Sequence, residues 1–243
     1  MKNKITAVFF DLDETLIENK ISVPDLFARM YLDFQEQLGT DNQNRFFTEL
    51  RTRAPLLWDS MFTSGASPEQ QFIECFAQCI ISTKAAKGEQ ASRLGNVMFE
   101  HYLSLSANNV VFHDGAQQAL SELRERGIVT GLITNGIEQV QLGKVRRLNI
   151  QDQVDCVTVS AQARAHKPYA PVFELALKRA KVGASQALQV GDHATNDVAG
   201  AIRAGLGGVF YNPNKHQVEE AFAQLDERPT HHIHHLSEVL NLV

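Results

Sequence analysis

The chain has 243 residues, with 23 Lys and Arg against 28 Asp and Glu, which gives a formal net charge of −5. Hydrophobic residues make up 44% of the chain and charged residues 21%, an ordinary composition for a globular protein. This composition excludes intrinsic disorder, which needs few apolar residues and a high net charge. The slight excess of acidic residues also argues against a basic nucleic-acid-binding domain. A chain of this length can fold as one large domain, or as one domain with a smaller one.

The sequence predicts neither a membrane segment nor a secreted protein. A typical apolar run, Ala7–Phe10, is far shorter than the roughly 18 residues that a spanning helix needs. The apolar stretch near the N-terminus ends at Asp11, too early for the core of a signal peptide. The three cysteines cannot all pair, and we expect them to be reduced thiols in the core. We therefore expect a cytoplasmic protein, a monomer or homodimer, with no membrane or nucleic-acid partner.

The first elements along the chain are a strand and then a block of helices. A short apolar run at 5–10 predicts a buried strand. Helical patterns then follow one another without an intervening strand, at 24–38, 43–62, 68–86 and 89–105. Four consecutive helices predict a small helical bundle, which occupies residues 18–109 and is inserted after the first strand.

Beyond residue 109 the pattern changes to strands and helices in alternation. Helices are predicted at 115–126, 137–147, 171–181, 195–204 and near 215–225. Strands are predicted at 128–133, 154–159, 187–190, 208–211 and near 232–236, before a final turn at 237–242. This alternation predicts an α/β fold, a Rossmann-like parallel sheet covered by helices on both faces. Its core domain comprises residues 1–17 and 110–243.

Polar side chains follow three of the predicted strands directly. Asp11 and Asp13 follow the first strand, Thr134 and Asn135 end another, and Asp192 follows a third. Ligands of doubly wound sheets bind at the carboxyl ends of the strands, so we expect these groups to converge. Another candidate, Lys167, lies between a predicted strand and a predicted helix on the same edge.

The chemistry of these residue types points to a phosphoryl group. Asp11, Asp13 and Asp192 can all stay ionised close together only with a compensating cation. Their hard oxygen atoms favour Mg²⁺ over zinc or copper. Lys167 and the hydroxyl of Thr134, with amide donors nearby, suit the charge of a transferring phosphoryl group. One carboxylate can attack phosphorus, and a second can protonate the leaving oxygen.

The sequence resembles the haloacid dehalogenase (HAD) superfamily, in its phosphatase branch. The family's first motif, Asp-x-Asp-x-Thr, is similar to residues 11–15, and its second is a Thr or Ser at the end of a strand. Its third is a Lys often followed by Pro, and its fourth is Gly-Asp with a second Asp a few residues later. The matching positions are Asp11, Asp13, Thr15, Thr134, Lys167, Pro168, Gly191, Asp192 and Asp197. The insertion 18–109 is similar to the family's helical cap.

The resemblance implies roles for the residues of the first three motifs. Asp11 would be the nucleophile and a Mg²⁺ ligand. Asp13 would act as general acid and then as general base, with its main-chain carbonyl on the metal. Thr134 and Lys167 would hold the phosphoryl oxygens, together with donors at Asn135. The substrate implied is a small phosphorylated metabolite.

The fourth motif carries one choice that the resemblance leaves open. Asp192 would be a direct acidic ligand of Mg²⁺. Asp197 would act from behind the metal ligands and orient Lys167 or a metal-bound water. Asn196 competes with Asp197 for that position.

Several functions are compatible with these motifs. The leading hypothesis is a Mg²⁺-dependent phosphomonoesterase that forms an aspartyl-phosphate on Asp11. The alternatives are a 2-haloacid dehalogenase, which uses the aspartate nucleophile without metal or Asp13, a phosphomutase, and a non-catalytic module that binds a phosphate ligand. Residues 134–148 and 191–205 resemble a branch that contains house-cleaning pyrimidine nucleotidases and many sugar-phosphate phosphatases. Nucleoside 5′-monophosphates and sugar phosphates are therefore the candidate substrates.

Other polar residues are interpreted as structural. A histidine-rich surface strand is preferred to a metal site for the cluster near the C-terminus, which comprises His231, His232, His234 and His235. His193 either contacts the rim of the site or caps a helix. Lys144, Arg146 and Arg147 are interpreted as a solvated helix face.

Overall fold

The computed structural model describes residues 4–215 and 218–243. The chain forms two compact units, one from the described residues up to Asn19 and from Val110 onward, the other from Lys20–Asn109. No helix in the described part of the chain combines the length and the apolar composition needed to cross a bilayer. Cys75 and Cys79 are buried and Cys156 is partly buried, all three as free thiols.

A six-stranded sheet forms the centre of the first unit. In chain order the strands are β1 Ala7–Phe10, β2 Ile17–Asn19, β3 Val110–Phe112, β4 Val129–Thr134, β5 Cys156–Val159, β6 Ala187–Gly191, β7 Gly207–Tyr211 and β8 His231–Ile233. The sheet has the order β5-β4-β1-β6-β7-β8, and all its neighbouring strands are parallel. The chain winds outward from β1 in both directions, so a topological switch point lies beside β1. The predicted α/β fold with a parallel sheet is confirmed.

Helices supply the other layers and the second unit. They are α1 Val23–Asp33, α2 Gln35–Leu38, α3 Gln43–Ser60, α4 Pro68–Thr83, α5 Gly88–Asn108, α6 Ala116–Glu125, α7 Glu138–Arg147, α8 Ser160–Ala163, α9 Ala170–Ala180, α10 Gly200–Arg203 and α11 Val218–Ala221. A π-helical segment, Ala194–Ala199, runs directly into α10, and a 3₁₀ turn, Leu236–Asn241, follows β8.

Strand β1 is buried on both faces of the sheet. Val8 and Phe10 point into a core layer shared with α6 and the C-terminal 3₁₀ turn. Ala7 and Phe9 point into the opposite layer, shared with α9. Full burial of a large apolar side chain stabilises the fold by roughly 1.5–3 kcal/mol. The strand therefore anchors the first polar residue that follows it, Asp11, at the edge of a rigid core.

The second unit is a helical bundle. Ser22 and Ser67 directly precede α1 and α4, and each side chain accepts a hydrogen bond from a main-chain N–H of the first turn, as is usual for Ser at an N-cap position. Gly95 lets α5 approach α4 closely, because an added Cβ would lie 3.0 Å from the amide nitrogen of Ala77. The helix predicted at 24–38 is broken at Phe34, where α1 ends and α2 begins.

The structure adds two strands that the sequence did not predict. Strands β2 and β3 form an antiparallel pair in which Asn19 is the register partner of Val110. The inserted residues 20–109 thus leave and re-enter the first unit at paired positions. Each strand has three residues, too few for an alternating pattern to be visible in the sequence. Part of the helix predicted near 215–225 is present as α11, and residues 216 and 217 lie outside the described residues.

Candidate active site

The predicted site residues meet at the carboxyl edge of the sheet. Asp11 follows β1, Thr134 ends β4 and Asp192 follows β6, and β4 and β6 are the two neighbours of β1. The main-chain N–H of Asp11 donates to the carbonyl of Val190, which ties the two strand ends together at an N···O distance of 2.9 Å. Convergence follows from the parallel topology, as predicted.

Lys167 lies between two carboxylates. Its Nζ is 2.6 Å from Oδ1 of Asp11 and 2.6 Å from Oδ1 of Asp197, and its side chain is only 2% exposed. Burial by itself would lower the pKa of Lys167, but the two carboxylates outweigh it and raise the pKa above its ordinary value. The lysine therefore stays charged in the interior.

Asp197 is held from several sides. In addition to Lys167, it accepts hydrogen bonds from the main-chain N–H of His193 and from Nε2 of Gln189, both at 3.2 Å. An added Cβ at Gly191 would lie 2.2 Å from Cγ of Asp197, so this close approach requires a glycine. Asn196, the competing candidate, donates its main-chain N–H to Nδ1 of His193 at 3.2 Å. Of the two residues, Asp197 is thus the one that contacts Lys167.

Three carboxylates form a cluster that could hold a metal ion. One oxygen each from Asp11, Asp192 and Asp197 lies within 4.8 Å of the other two. Thr15 fixes Asp192, since its Oγ1 donates to Oδ1 of Asp192 at 3.3 Å and accepts from the main-chain N–H of Asp192 at 3.1 Å. A hydroxyl can both donate and accept a hydrogen bond, and this pair of bonds to Asp192 explains why the first motif ends in a hydroxyl residue.

The cluster is short of positive charge. Burial raises the pKa of Asp11 to about 8, with Asp197 adding to the effect and Lys167 opposing it. Burial, with repulsion from Asp197, also raises the pKa of Asp192 to about 6. Three carboxylates face one ammonium, and all the donor atoms are hard oxygens. The group therefore fits a divalent cation such as Mg²⁺.

The carboxylate of Asp13 lies outside this cluster and has its own partners. Nζ of Lys144 is 2.7 Å from Oδ1 and 2.9 Å from Oδ2 of Asp13, and Nε2 of Gln141 is 2.9 Å from Oδ2. The sequence placed Asp13 among the metal ligands through its main-chain carbonyl, and the side chain has no part in the acidic cluster. The nucleophile candidate and the second aspartate thus occupy separate environments.

Two of these contacts were missed or misinterpreted in the sequence. The prediction that Lys144 belongs to a solvated helix face is wrong, because its side chain is 10% exposed and is paired with Asp13. Gln141 was not singled out. A signal did exist, since Gln141 and Lys144 are three residues apart in α7 and so share one face of the helix that follows Thr134.

Thr134 and Asn135 lie where predicted but use their side chains differently. Oγ1 of Thr134 accepts from Nε2 of Gln141 at 2.6 Å. The side chain of Asn135 binds the main chain of Lys167, since its Oδ1 accepts from the N–H at 2.7 Å and its Nδ2 donates to the carbonyl at 3.1 Å. Asn135 therefore positions the Lys167 loop with its side-chain amide, and its contact with the phosphate stays a prediction.

The histidines have structural contacts. Nδ1 of His193 accepts from the main-chain N–H groups of Thr195 and Asn196, which caps the π-helical segment. The ring Nδ1 atoms of the C-terminal pair contact a main-chain carbonyl and a serine hydroxyl, His234 with Asn212 and His235 with Ser237. Within the described ranges, the acidic cluster is the one group of three or more candidate ligands close enough to share a metal ion.

Comparison with family models matches residues 5–205 to the haloacid dehalogenase-like hydrolases. The chain belongs to this family. Its curated relatives include a ribulose-1,5-bisphosphate 5-phosphatase of Halopiger xanaduensis, 30% identical over 98% of this chain and 99% of that protein. A pyrimidine 5′-nucleotidase of Escherichia coli is 27% identical over 89% of this chain and 90% of that protein.

A solved structure from the same family has the same fold over nearly its whole length. It is a 2-haloacid dehalogenase from Pseudomonas syringae, with a TM-score of 0.77, 27% identity, and coverage of 98% of this chain and 97% of that one. The haloacid dehalogenase-like family is one of hydrolases, so the protein is an enzyme. The fold is thus shared by relatives named for two different reactions.

Proposed function

We propose that the protein is a Mg²⁺-dependent phosphomonoesterase that hydrolyses a small phosphorylated metabolite through an aspartyl-phosphate on Asp11. The observation that carries the proposal is the separation of two aspartates. Asp11 lies in the acidic cluster beside Lys167, whereas Asp13 is held outside it by Lys144. Displacement at phosphorus uses both a nucleophile and a proton donor, and these two residues suit the two roles.

The reaction has two half-reactions. In the first, a carboxylate oxygen of Asp11 attacks phosphorus, the bond from phosphorus to the ester oxygen breaks, and protonated Asp13 gives its proton to that oxygen. In the second, Asp13 takes a proton from water, whose oxygen attacks phosphorus and releases Asp11 and inorganic phosphate. Lys167 and the Thr134 hydroxyl bind the phosphoryl oxygens in both steps.

Asp11 and Asp192 are the residues that would hold Mg²⁺, with the main-chain carbonyl of Asp13. Asp197 supports them from behind through Lys167. When bound, the ion would neutralise the carboxylates and the phosphate and so permit them to approach one another.

A dehalogenase is the second candidate, favoured by the dehalogenase structure that shares this fold. Attack of an aspartate on a carbon–halogen bond needs the nucleophile but neither Asp13 nor a metal. The presence of Asp13 with its own hydrogen-bond partners supports the phosphatase instead. The acidic fourth motif supports it as well.

The substrate class is proposed from the relatives. One is named for a sugar bisphosphate and another for pyrimidine nucleotides. We propose sugar phosphates and nucleoside 5′-monophosphates as the substrates of a cytoplasmic enzyme, a monomer or homodimer, with residues 18–109 as its cap.

The test is a substrate panel scored by kcat/KM. Sugar phosphates, sugar bisphosphates and nucleoside 5′-monophosphates are followed by phosphate release, and 2-haloacids by halide release. We expect Mg²⁺-dependent phosphate release and no halide release. Halide release without metal, and no phosphate release from any substrate, would replace the phosphatase with the dehalogenase. Asp11→Asn serves as the control, because it removes the nucleophile of either reaction.

A further inference from the structure

Helix α7 places two side chains against the candidate acid/base residue, and the mechanism above gives neither of them a role. Gln141 and Lys144 are both buried, and both contact Asp13. The two residues belong to the same helical turn, so a single rigid element sets both contacts. The inference drawn from them rests on the proposed phosphatase function.

Gln141 connects Asp13 to the second motif. Its Nε2 lies 2.6 Å from Oγ1 of Thr134, 2.9 Å from Oδ2 of Asp13 and 3.2 Å from the carbonyl oxygen of Asn135. A carbonyl oxygen can only accept, so the amide must turn its NH₂ group toward this side. The two hydrogens of this NH₂ group then face three acceptor oxygens, and the shortest of the three contacts is the one to Oγ1 of Thr134.

This contact sets the direction in which Thr134 donates. A hydroxyl that accepts from an amide keeps its own hydrogen for another partner. In the structure the O–H of Thr134 donates to the carbonyl oxygen of Asn135 over a long distance of 3.5 Å, a weak contact that a phosphoryl oxygen can replace. Without the amide, this long contact holds the hydroxyl less firmly.

Lys144 fixes the position of the Asp13 carboxylate. Its ammonium contacts both carboxylate oxygens, at 2.7 and 2.9 Å. The side chain of Asp13 is 32% exposed, against 10% for Lys144, so the contact holds the carboxyl group from its protein side and leaves another side open. Proton transfer needs the carboxyl group at hydrogen-bond distance from the leaving oxygen, and a free rotamer would hold it there only part of the time.

We propose that Gln141 and Lys144 are positioning residues for phosphomonoester hydrolysis. Lys144 and Gln141 together hold the carboxyl group of Asp13 for proton transfer, and Gln141 also directs the hydroxyl of Thr134 at the phosphoryl group. Neither residue contacts the reacting atoms. Their effects therefore act through Asp13 and Thr134 and disappear when those groups are disabled.

The Lys144 part is tested by a double-mutant cycle with Asp13. Lys144→Met keeps the aliphatic stem and removes the charge. We expect it to lower kcat by on the order of 100-fold for an alkyl phosphate and by about tenfold or less for an activated aryl phosphate, whose leaving group needs little protonation. In the Asp13→Asn background the same change should lower single-turnover release of the aryl alcohol by less than about twofold.

The Gln141 part is tested with inorganic phosphate as a competitive inhibitor. Gln141→Leu should raise the inhibition constant for phosphate by about tenfold, because the Thr134 hydroxyl loses its direction, whereas Lys144→Met should change it by less than about twofold. Arg146→Met is the matched control for the cycle, since Arg146 is an exposed cation on the same helix, and it should leave all these quantities unchanged. An unchanged inhibition constant in Gln141→Leu would overturn the role assigned to the Thr134 contact.

The outcomes separate the inference from the proposed function. Wild-type protein that releases no phosphate overturns both. If the wild type is active but Lys144→Met lowers the rate by the same factor in the wild-type and Asp13→Asn backgrounds, the positioning role alone is overturned. Lys144 is then merely structural. If Lys144→Met fails to fold, Lys144→Arg decides, because it keeps the charge but moves the donors. A loss confined to poor leaving groups then supports the role, and an equal loss on both substrates overturns it.

Discussion

The Nζ atom of Lys167 lies 2.6 Å from Oδ1 of Asp11, although 156 positions separate the two residues in the chain. Strand β1 ends at Asp11, and the loop that carries Lys167 is anchored by the side chain of Asn135 at the end of the neighbouring strand. Parallel strands bring their carboxyl ends to one edge, so distant segments can supply one site. The candidate nucleophile and its cation are thus brought together by the sheet.

Asp11→Asn should abolish turnover while the protein stays folded. The amide keeps the shape of the side chain but lacks the attacking carboxylate oxygen, so we expect kcat to fall by several orders of magnitude. Because burial raises the pKa of Asp11 to about 8, the carboxyl is largely neutral in metal-free protein at about pH 6, and at that pH the neutral amide should not lower the melting temperature. Activity above about a tenth of wild type, a loss of only about 1.4 kcal/mol in activation free energy, would contradict the assignment.

Mg²⁺ should stabilise the protein more as pH rises. The folded-state pKa is raised to about 8 for Asp11 and to about 6 for Asp192, so protonation of these two carboxyls favours the folded state of the metal-free protein. Their contribution to the free energy of unfolding is complete only below the unfolded-state pKa of about 4. That contribution is lost as pH rises through about 6 and about 8, where ionised carboxylates repel. A divalent ion takes the place of those protons, so it competes with them at low pH.

The measurement is the shift in melting temperature on adding Mg²⁺ to protein dialysed against a chelator. We expect a larger shift near about pH 8 than near about pH 5, where both carboxyls are largely protonated. Turnover should be lost on chelation and restored by Mg²⁺. Asp192→Asn is the control, and it should remove most of the shift. A shift of equal size at both pH values would place the ion elsewhere.

The strands and the site-bearing turns could be predicted because their signals are local. Ala7–Phe10 is a continuous apolar run that ends at a carboxylate, and short, mostly apolar runs also precede Thr134 and Asp192. Each such strand is buried on both faces, so most of its side chains are hydrophobic. The resemblance to the family then indicated which role each of these turns has in the site.

The partners of Asp13 could not be predicted because they depend on tertiary packing. Lys144 has charged neighbours on α7, and a basic helical segment is usually solvated. Of the three cations Lys144, Arg146 and Arg147, Lys144 is buried because it pairs with Asp13, which lies 131 positions away in the chain. No local sequence pattern contains this pairing. The contact of Asp197 with Lys167 is the one that the family resemblance implied, whereas the room that Gly191 leaves for Asp197 depends on tertiary packing.

Gly191→Ala should impair both folding and catalysis. The new Cβ would lie 2.2 Å from Cγ of the buried Asp197, and overpacking of this kind costs about 1–3 kcal/mol of the free energy of unfolding. Asp197 must then move, which disturbs its contact with Lys167. Gly183→Ala is the matched control, because its Cβ would meet only the flexible end of Gln186. Chemical denaturation and kcat report the two effects, and a wild-type value of both would show that Asp197 can relocate freely.

Replacement of residues 20–109 should separate catalysis from substrate preference. Asn19 and Val110 are register partners in the β2–β3 pair, so a short Asn-Gly turn can join them. The unit that remains contains Asp11, Asp13, Lys167 and Asp192.

If the shortened chain folds, which circular dichroism would establish, we expect slow hydrolysis of an activated aryl phosphate that Asp11→Asn abolishes. Binding energy from the parts of the substrate beyond the phosphate is what raises kcat/KM for a preferred substrate. If residues 20–109 supply it, natural substrates should fall to within about tenfold of one another. A shortened protein that keeps the wild-type ranking of kcat/KM would place substrate preference in the α/β unit instead.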